Sequence, residues 1–456
     1  MNKTKFNKIL IANRGEIALR IIRACKEMSI QTVQVFSEAD RDSLPVKFAD
    51  EAICIGGASP NQSYLNMSSI IGAATLLGVD ALHPGYGFLS ENATFASICQ
   101  DYGIHFIGPA PDMLRSLKNK AHVRKIAHQA GVPILPGTLE PVENEEEAKK
   151  IADQITYPVL LKAAMGGGGR GIRKVNNQKD LEELFPIAKR ESFASFGSDE
   201  IYIEKCLENP RHIEVQIFGD GKGNVVHLGI RECSIQRKHQ KIIEEAPSLG
   251  LSSQRIQEMQ EAACRLGKAI NYKNAGTCEF LADDQDKFYL LEINARIQVE
   301  HPISEETTGI DIVKTQIMIA EANELPFHQS DIAQKGWAFE FRITAEDPYT
   351  YTPSSGTLSF LHFPSGRNVR VDSHVYNGYT IPSHYDSMIA KLIVFEKDRN
   401  SCLALANRCL EECTIEGIKT NIPLLQELIR DKDFISGKIH TGFIQQWIDR
   451  KNKTNT

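Results

Sequence analysis

The feature that most restricts the fold of this chain is an alternation near its N-terminus of short apolar runs with segments of helical period. Lys8–Ala12 reads as a short buried strand. After the turn Asn13-Arg14-Gly15, the segment Glu16–Met28 puts Ile17, Ile21, Ala24, Cys25 and Met28 on one helical face. Thr32–Phe36 and Ala52–Ile55 read as further strands and Ser68–Leu77 as a helix. Ala81-Leu82 then leads into the Gly/Pro-rich turn His83-Pro84-Gly85-Tyr86-Gly87. Strands alternating with helices predict a parallel, doubly wound α/β sheet over roughly the first 110 residues. Its first turn lacks the G-x-G-x-x-G fingerprint, so the unit is Rossmann-like in shape and is not expected to hold a dinucleotide.

Further along, Lys118–Gln129 reads as a helix and the acidic segment Glu143–Lys150 as an exposed helix start. From Tyr157 the pattern turns to strands and hairpins: Val159–Ala163, Gly171–Val175, Ile201–Glu204 and Glu214–Phe218. After roughly residue 335, short strands alternate with Gly/Pro turns, followed by a helix at Leu403–Glu412 and a polar tail at Lys451–Thr456. A chain of 456 residues is too long for one core, so roughly two to four closely packed domains are expected.

A net charge of −6 gives no electrostatic reason to expect nucleic acid or anionic membrane as a partner. The one dense basic cluster, Arg237-Lys238-His239-Gln240-Lys241, is followed at once by Glu244 and Glu245 and reads on its own as a solvated loop. Ten cysteines without a C-x-x-C pair point to reduced thiols rather than a disulfide or metal scaffold. The first residues lead into a strand and not a long apolar segment, so no signal peptide, no membrane span and a cytoplasmic setting are expected.

Two segments carry chemistry. Met165-Gly166-Gly167-Gly168-Gly169-Arg170-Gly171 formally contains G-x-G-x-x-G, but a strand-like stretch follows, whereas the dinucleotide motif must open a helix. Walker A fails as well, because no Lys-Ser/Thr follows the last glycine. What remains is a glycine-rich hairpin with Lys162 on its incoming strand. It suits a lid over phosphates, the alternative being a plain surface turn.

The second segment is a hairpin in which Thr277–Leu281 and Phe288–Ile293 flank Asp283–Lys287. If it centres on Gln285-Asp286, Glu279 and Glu292 lie directly opposite each other. That is unfavourable for like charges unless something positive sits between them. Oxygen-only ligands suit Mg²⁺, and Asn294 follows Glu292 on the same face. Read as extended chain, Glu292, Asn294, Arg296, Gln298 and Glu300 all point one way. That face is either plain amphipathicity or an anion site beside a metal, with Arg296 holding a carboxylate-like substrate and Glu300 as a base. On spacing alone the two readings stand level.

Several motifs, taken in order, resemble the biotin carboxylase family of ATP-grasp enzymes over nearly the whole chain. They are Ile11-Ala12-Asn13-Arg14-Gly15-Glu16-Ile17-Ala18, His83-Pro84-Gly85-Tyr86-Gly87-Phe88-Leu89-Ser90-Glu91-Asn92, Arg296-Ile297-Gln298-Val299-Glu300-His301-Pro302 and Tyr385-Asp386-Ser387-Met388. The resemblance implies a Rossmann-like domain over 1–114 and an ATP-grasp domain over 115–321 with a mobile glycine-rich lid at about 134–205. A mixed α/β C-terminal domain over 322–456 completes the set.

It also implies that ATP phosphorylates bicarbonate and that the carboxyl group then passes to biotin. On this likeness Lys120, Lys162, Gly168 and Gly169 hold ATP phosphates, while Glu204, Lys205, Cys206, Leu207, His212, Gln236 and His239 line the nucleotide pocket. Glu279, Glu292 and Asn294 hold Mg²⁺ or Mn²⁺. Lys241, Arg296 and the Val299 backbone bind bicarbonate, Glu300 is the base, Arg342 stabilises the biotin enolate and Tyr86 sits near biotin. The basic cluster then divides, with Arg237 and Lys238 left solvated.

Met165 and Ala295 depart from residues common in the family without removing a functional group. The chain has no Met-Lys-Met biotinylation site, so a separate biotin carboxyl carrier protein and separate carboxyltransferase subunits are expected as partners, unless the sequence is a piece of a larger enzyme. The family often forms homodimers, and Arg23 and Glu27 match positions at that interface; otherwise they read as a surface pair one helical turn apart. Acetyl-CoA is the default acceptor. The rival readings are another ATP-grasp carboxylate ligase and a non-catalytic nucleotide-binding protein that regulates a complex.

Overall fold

The computed structural model of the chain describes residues 5–165, 171–238 and 240–454. Its first sheet comprises β1 (Lys8–Ile11), β2 (Gln31–Ser37), β3 (Glu51–Gly56), β4 (Ala81–His83) and β5 (His105–Phe106), ordered β3-β2-β1-β4-β5. All four pairings are parallel, as the alternation predicts. The crossover from β1 to β2 is the helix Gly15–Glu27, which buries Ile17, Ile21, Ala24 and Cys25.

The strand order reverses between β1 and β4, and in open α/β sheets ligands bind in the crevice beyond the carboxyl ends at such a point. Asn13 closes one wall of that crevice: its Nδ2 donates to the carbonyls of Pro84 and Tyr86, both at 2.7 Å. The turns after β1 and β4 are thereby held together.

A three-stranded antiparallel sheet follows, ordered β7-β6-β8, from β6 (Val159–Ala163), β7 (Ile172–Val175) and β8 (Ile201–Lys205). Its apolar side has a small core of its own that includes Val159, Leu161, Val175 and Ile203. Between β7 and β8 runs the helix Gln178–Phe196, where the sequence pattern suggests only strands and hairpins. Asn177 caps it, and Leu181, Phe185 and Ala188 are buried. Pro186 inside the helix is what hides it, since proline removes a backbone donor and argues against a helix interior. A further helix, Ser253–Ala269, occupies a stretch to which the sequence pattern assigns no element.

The remaining strands are β9 (Arg211–Asp220), β10 (Val225–Arg237), β11 (Gln240–Ala246), β12 (Lys273–Ala282), β13 (Phe288–Asn294) and β14 (Trp337–Thr344). Then come β15 (Gly356–Thr357), β16 (Phe360–His362), β17 (Val369–Ser373), β18 (Thr380–Ile381), β19 (Met388–Glu396) and β20 (Thr414–Glu416). Eight of these form one antiparallel sheet, ordered β13-β12-β9-β10-β11-β14-β19-β17. The β11–β14 pairing, which sets Ile243 against Phe341 and Glu244 against Glu340, carries the sheet from the middle of the chain into its C-terminal part.

Phe339, Phe341 and Ile343 of β14 pack in the C-terminal core with residues of the helices Arg399–Glu412 and Ile422–Ile429. The last helix, Phe443–Thr454, takes in most of the stretch read as a polar tail. Among the described residues no helix is long and apolar enough to cross a membrane.

Because β14 serves both parts, Phe341→Ala should loosen both. We expect a loss of about 3–5 kcal/mol, read from denaturant unfolding, with faster amide exchange in β11 as well as β14. Exchange confined to the C-terminal part would contradict a cooperative shared sheet.

Candidate active site

The hairpin of β12 and β13 is where the site begins. Near the turn the register pairs Ala282 with Phe288, Leu281 with Tyr289 and Phe280 with Leu290; it then shifts, so that Glu279 faces Glu292 and Thr277 faces Asn294. Glu279 and Glu292 are thus opposite each other, as their spacing predicts, but a bulge at Leu291 brings this about. Side chains alternate across a strand, so a regular continuation would leave Glu292 on the apolar face with Leu290. The extra residue turns Glu292 to the face of Glu279, which is what a bulge beside a functional site does.

The extended face predicted from Glu292 to Glu300 is interrupted. The strand ends at Asn294, and Glu300 stands at the N-cap of the helix His301–Thr308. The side chains nevertheless converge. Asn294 Nδ2 and Gln298 Nε2 donate to Glu279 at 2.7 and 2.6 Å. Glu300 accepts from Lys241 at 2.7 Å and from Arg342 at 2.8 Å. Arg296 donates to Asn294 at 3.1 Å and to Glu91 at 3.0 Å.

Lys241 is the centre of charge. Its ammonium bonds Glu214 and Glu300 and lies 3.4 Å from Glu279. Burial disfavours that charge, yet the three carboxylates raise the Lys241 pKa well above its ordinary value. For Glu300, burial and Glu214 push the pKa up, but Lys241, Arg342 and Arg231 pull it lower on balance. Glu300 is therefore ionised and able to take a proton. His212 Nε2 lies 3.0 Å from Glu279; burial lowers its pKa, and Glu279 and Glu214 more than offset this, raising it to about 9.

The residues expected to meet the nucleotide fall into separate groups of polar contacts. Lys120 pairs with Glu292 at 2.8 Å, while Lys162 and Arg124 both bond the buried carboxylate of Glu204. Gln236 Nε2 approaches His212 Nδ1 at 3.4 Å. Lys205 is not drawn in: its ammonium bonds the carbonyls of Thr156 and Tyr157 at 2.9 and 3.1 Å. Cys206 and Leu207 follow as half-buried chain leaving β8, with the Cys206 N–H donating to Pro158 O at 3.0 Å. Gly168, Gly169 and His239 lie outside the described residues.

A cavity of about 570 Å³ opens at the crevice of the first sheet and collects Tyr86, Lys241, Arg296, Val299 and Arg342 on its walls. Arg237 also lines it, 3.1 Å from the centroid of the Tyr351 ring. The expectation that Arg237 is solvated is thereby corrected, whereas Lys238 is exposed. Glu279, Glu292 and Asn294 offer hard oxygen donors, a set that fits Mg²⁺ or Mn²⁺.

Sequence reasoning missed several members. Arg231 is fully buried and reaches Glu214, Gln216, Ser304, Thr277 and Gln298 at 2.5–3.1 Å. It shares the strand β10 with Gln236, and nothing in its local sequence sets it apart. Glu244 bonds Arg342 at 2.6 Å, and Glu340 faces Glu244 across β11 and β14.

Comparison with known proteins agrees with this architecture. Three family models match in succession: "Biotin carboxylase, N-terminal domain" over residues 5–114, "Carbamoyl-phosphate synthase L chain, ATP binding domain" over 119–328 and "Biotin carboxylase C-terminal domain" over 340–446. The biotin carboxylase of Nostoc sp. is 49% identical over 443 residues, covering 97% of this chain and 99% of the relative. A pyruvate carboxylase subunit of Methanothermobacter thermautotrophicus is 47% identical, covering 97% of this chain and 90% of the relative.

Among solved structures, a Campylobacter jejuni biotin carboxylase–β,γ-ATP complex superposes with TM-score 0.95 at 47% identity, covering 98% of this chain and 100% of that one. The biotin carboxylase domain dimer of Hydrogenobacter thermophilus 2-oxoglutarate carboxylase, with MgADP, ADP and bicarbonate, gives 0.92 at 46%, covering 97% of each. The fold is that of an ATP-grasp ligase with its two flanking domains. Within that class the chain belongs to the biotin carboxylase family, and it is an ATP-dependent ligase that carboxylates biotin.

Two outcomes follow from the buried charges. Arg231→Leu strands Glu214 without its guanidinium and should cost about 3–5 kcal/mol, measured by denaturant unfolding; a loss below about 1 kcal/mol would contradict this. Burial, opposed by Arg342, raises the Glu244 pKa from 4.5 to about 7. A carboxyl whose pKa is raised on folding binds its proton in the folded chain first, so it lowers stability as pH rises through that window. Glu244→Gln should therefore gain stability relative to wild type between about pH 5 and pH 8, seen as a pH-dependent gap in thermal midpoints.

Proposed function

We propose that the chain is the biotin carboxylase subunit of an acetyl-CoA carboxylase and carries out the first half-reaction of malonyl-CoA and fatty-acid synthesis. The observation that carries the biotin site is the cavity on which Tyr86, Lys241, Arg296, Val299 and Arg342 meet, with Glu300 bonded to two of them. Lys241 and Arg296 hold bicarbonate, and Glu300, ionised, takes its proton to make a stronger nucleophile. Attack on the ATP γ-phosphoryl group gives carboxyphosphate and ADP.

Lys120 and Lys162, with the glycine loop at Gly168 and Gly169, hold the phosphates. Glu279, Glu292 and Asn294 hold Mg²⁺ or Mn²⁺, which supplies charge neutralisation to the phosphoryl group when bound. Glu204, Lys205, Cys206, Leu207, His212, Gln236 and His239 complete the nucleotide pocket. Lys205 serves it from the backbone, since its ammonium is turned toward Thr156 and Tyr157. Arg342 stabilises the enolate oxygen as the biotin N1′ gives up its proton and bonds the carboxyl carbon of carboxyphosphate. The C–O bond of carboxyphosphate to the phosphorus-bound oxygen breaks and releases inorganic phosphate carrying that proton, and Tyr86 lies against the ring.

The division into 1–114, 115–321 with a lid at about 134–205, and 322–456 belongs to the same reading. So do a separate biotin carboxyl carrier, separate carboxyltransferase subunits, a cytoplasmic setting and a homodimer. The Hydrogenobacter relative, named as a dimer, supports the last. Arg23 is exposed on the first helix, while Glu27 pairs with Lys314 at 2.6 Å instead of with Arg23. Membership of a pyruvate carboxylase or another carboxylase is the second reading, favoured by the likeness to the Methanothermobacter pyruvate carboxylase subunit.

Bicarbonate-dependent ATP cleavage, stimulated by free biotin with carboxybiotin formed, is the expected outcome; its absence would overturn the reading. Arg342→Ala should leave the KM for ATP near wild type and depress biotin carboxylation by about 10²-fold or more. Loss of nucleotide binding in that variant would show the roles to be misassigned. Transfer from the carboxylated carrier to acetyl-CoA, rather than to pyruvate, separates the first reading from the second.

A further inference from the structure

Lys391 lies outside every motif considered above and is fully buried in the middle of β19. Its Cα pairs with Arg342 on one side and with Asp372 on the other, so it presents its ammonium on the face that carries Arg342. The ammonium donates to the carbonyl of Val299 at 2.9 Å, lies 3.1 Å from Glu16 Oε1 and 3.9 Å from Asp372. Glu16 in turn accepts the phenol proton of Tyr86. Val299, Glu16 and Tyr86 all line the cavity, while Lys391 itself does not.

We propose that Lys391 is a positioning residue for biotin carboxylation, which clamps the bicarbonate side and the biotin side of the cavity to one buried charge. The inference rests on the reading of that cavity given above. The carbonyl of Val299 belongs to the planar peptide that joins Val299 to Glu300. Fixing that oxygen fixes where the base Glu300 leaves the chain, just before the helix His301–Thr308. On the other side, the ion pair to Glu16 holds the acceptor that orients the Tyr86 ring. A buried ammonium without partners is costly, so the three oxygens and the lysine define each other's places.

The nucleotide-side pairs of Lys120 with Glu292 and of Lys162 with Glu204 have no bond to this group among the described contacts. Loss of the clamp should therefore spare ATP binding, a pattern that general unfolding does not produce. In Lys391→Met the KM for bicarbonate and the KM for free biotin should each rise by about tenfold, with the KM for ATP within about twofold of wild type. Lys391→Arg keeps the charge but places its donors differently, and should fall between the two.

Since Lys391→Met leaves Glu16 buried without its cation, whereas Asp372 keeps Arg370 at 2.9 Å, the double variant Lys391→Met/Glu16→Gln is made beside it, and folding is read from the thermal midpoint. A folded variant with unchanged KM for bicarbonate and biotin overturns the proposal, as does one whose KM for ATP rises in parallel. If only Lys391→Arg folds, an unchanged bicarbonate KM overturns it. Wild-type protein without bicarbonate-dependent ATP cleavage removes the reading of the cavity instead, so the two failures are distinct.

Discussion

The site depends on keeping several carboxylates ionised in a volume from which water is largely excluded. Glu214, Glu279 and Glu300 converge on the one ammonium of Lys241, and each has a second cationic partner: Arg231, His212 and Arg342 in turn. Pairs of this kind contribute little net stability, because desolvation offsets most of the attraction. Removing one partner is costly, however, so the arrangement locks positions rather than strengthening the fold. Under the proposed reading this suits a reaction in which a proton leaves bicarbonate at one point while negative charge is held at another.

The local patterns that produced elements were legible. Apolar runs and helical period gave the parallel sheet in its doubly wound form, since each strand–helix unit carries its own signal. The pairing of Glu279 with Glu292 could be counted from the turn, although the count succeeded only because the bulge at Leu291 restored a register that the turn itself does not set. The extended face to Glu300 failed for a related reason. The N-terminus of the helix His301–Thr308 bends the chain, with Pro302 in its first turn, and a two-residue period cannot report such a bend.

What stayed hidden was long-range. Arg231, Lys391 and Glu340 stand in strands whose neighbours in sequence offer no reason to single them out. Their meaning comes from residues distant in the chain, as in Lys391 with Glu16. The helix Gln178–Phe196 was hidden by its proline, and Arg237 by its place in a run of cations that looked uniformly solvated.

The seam between β11 and β14 has a consequence for modularity. A chain divided between Ala322 and Trp337 would part a ladder of main-chain hydrogen bonds and leave each fragment with a raw sheet edge. Such edges recruit foreign strands, so neither half would be a well-behaved unit to shuffle or transplant. Glu244 lies on one side of that seam and Arg342 on the other, bonded across it. An ancestor that gained the C-terminal part would have acquired Arg342 and three of the sheet's eight strands together, and a descendant that shed the strands would lose the arginine with them.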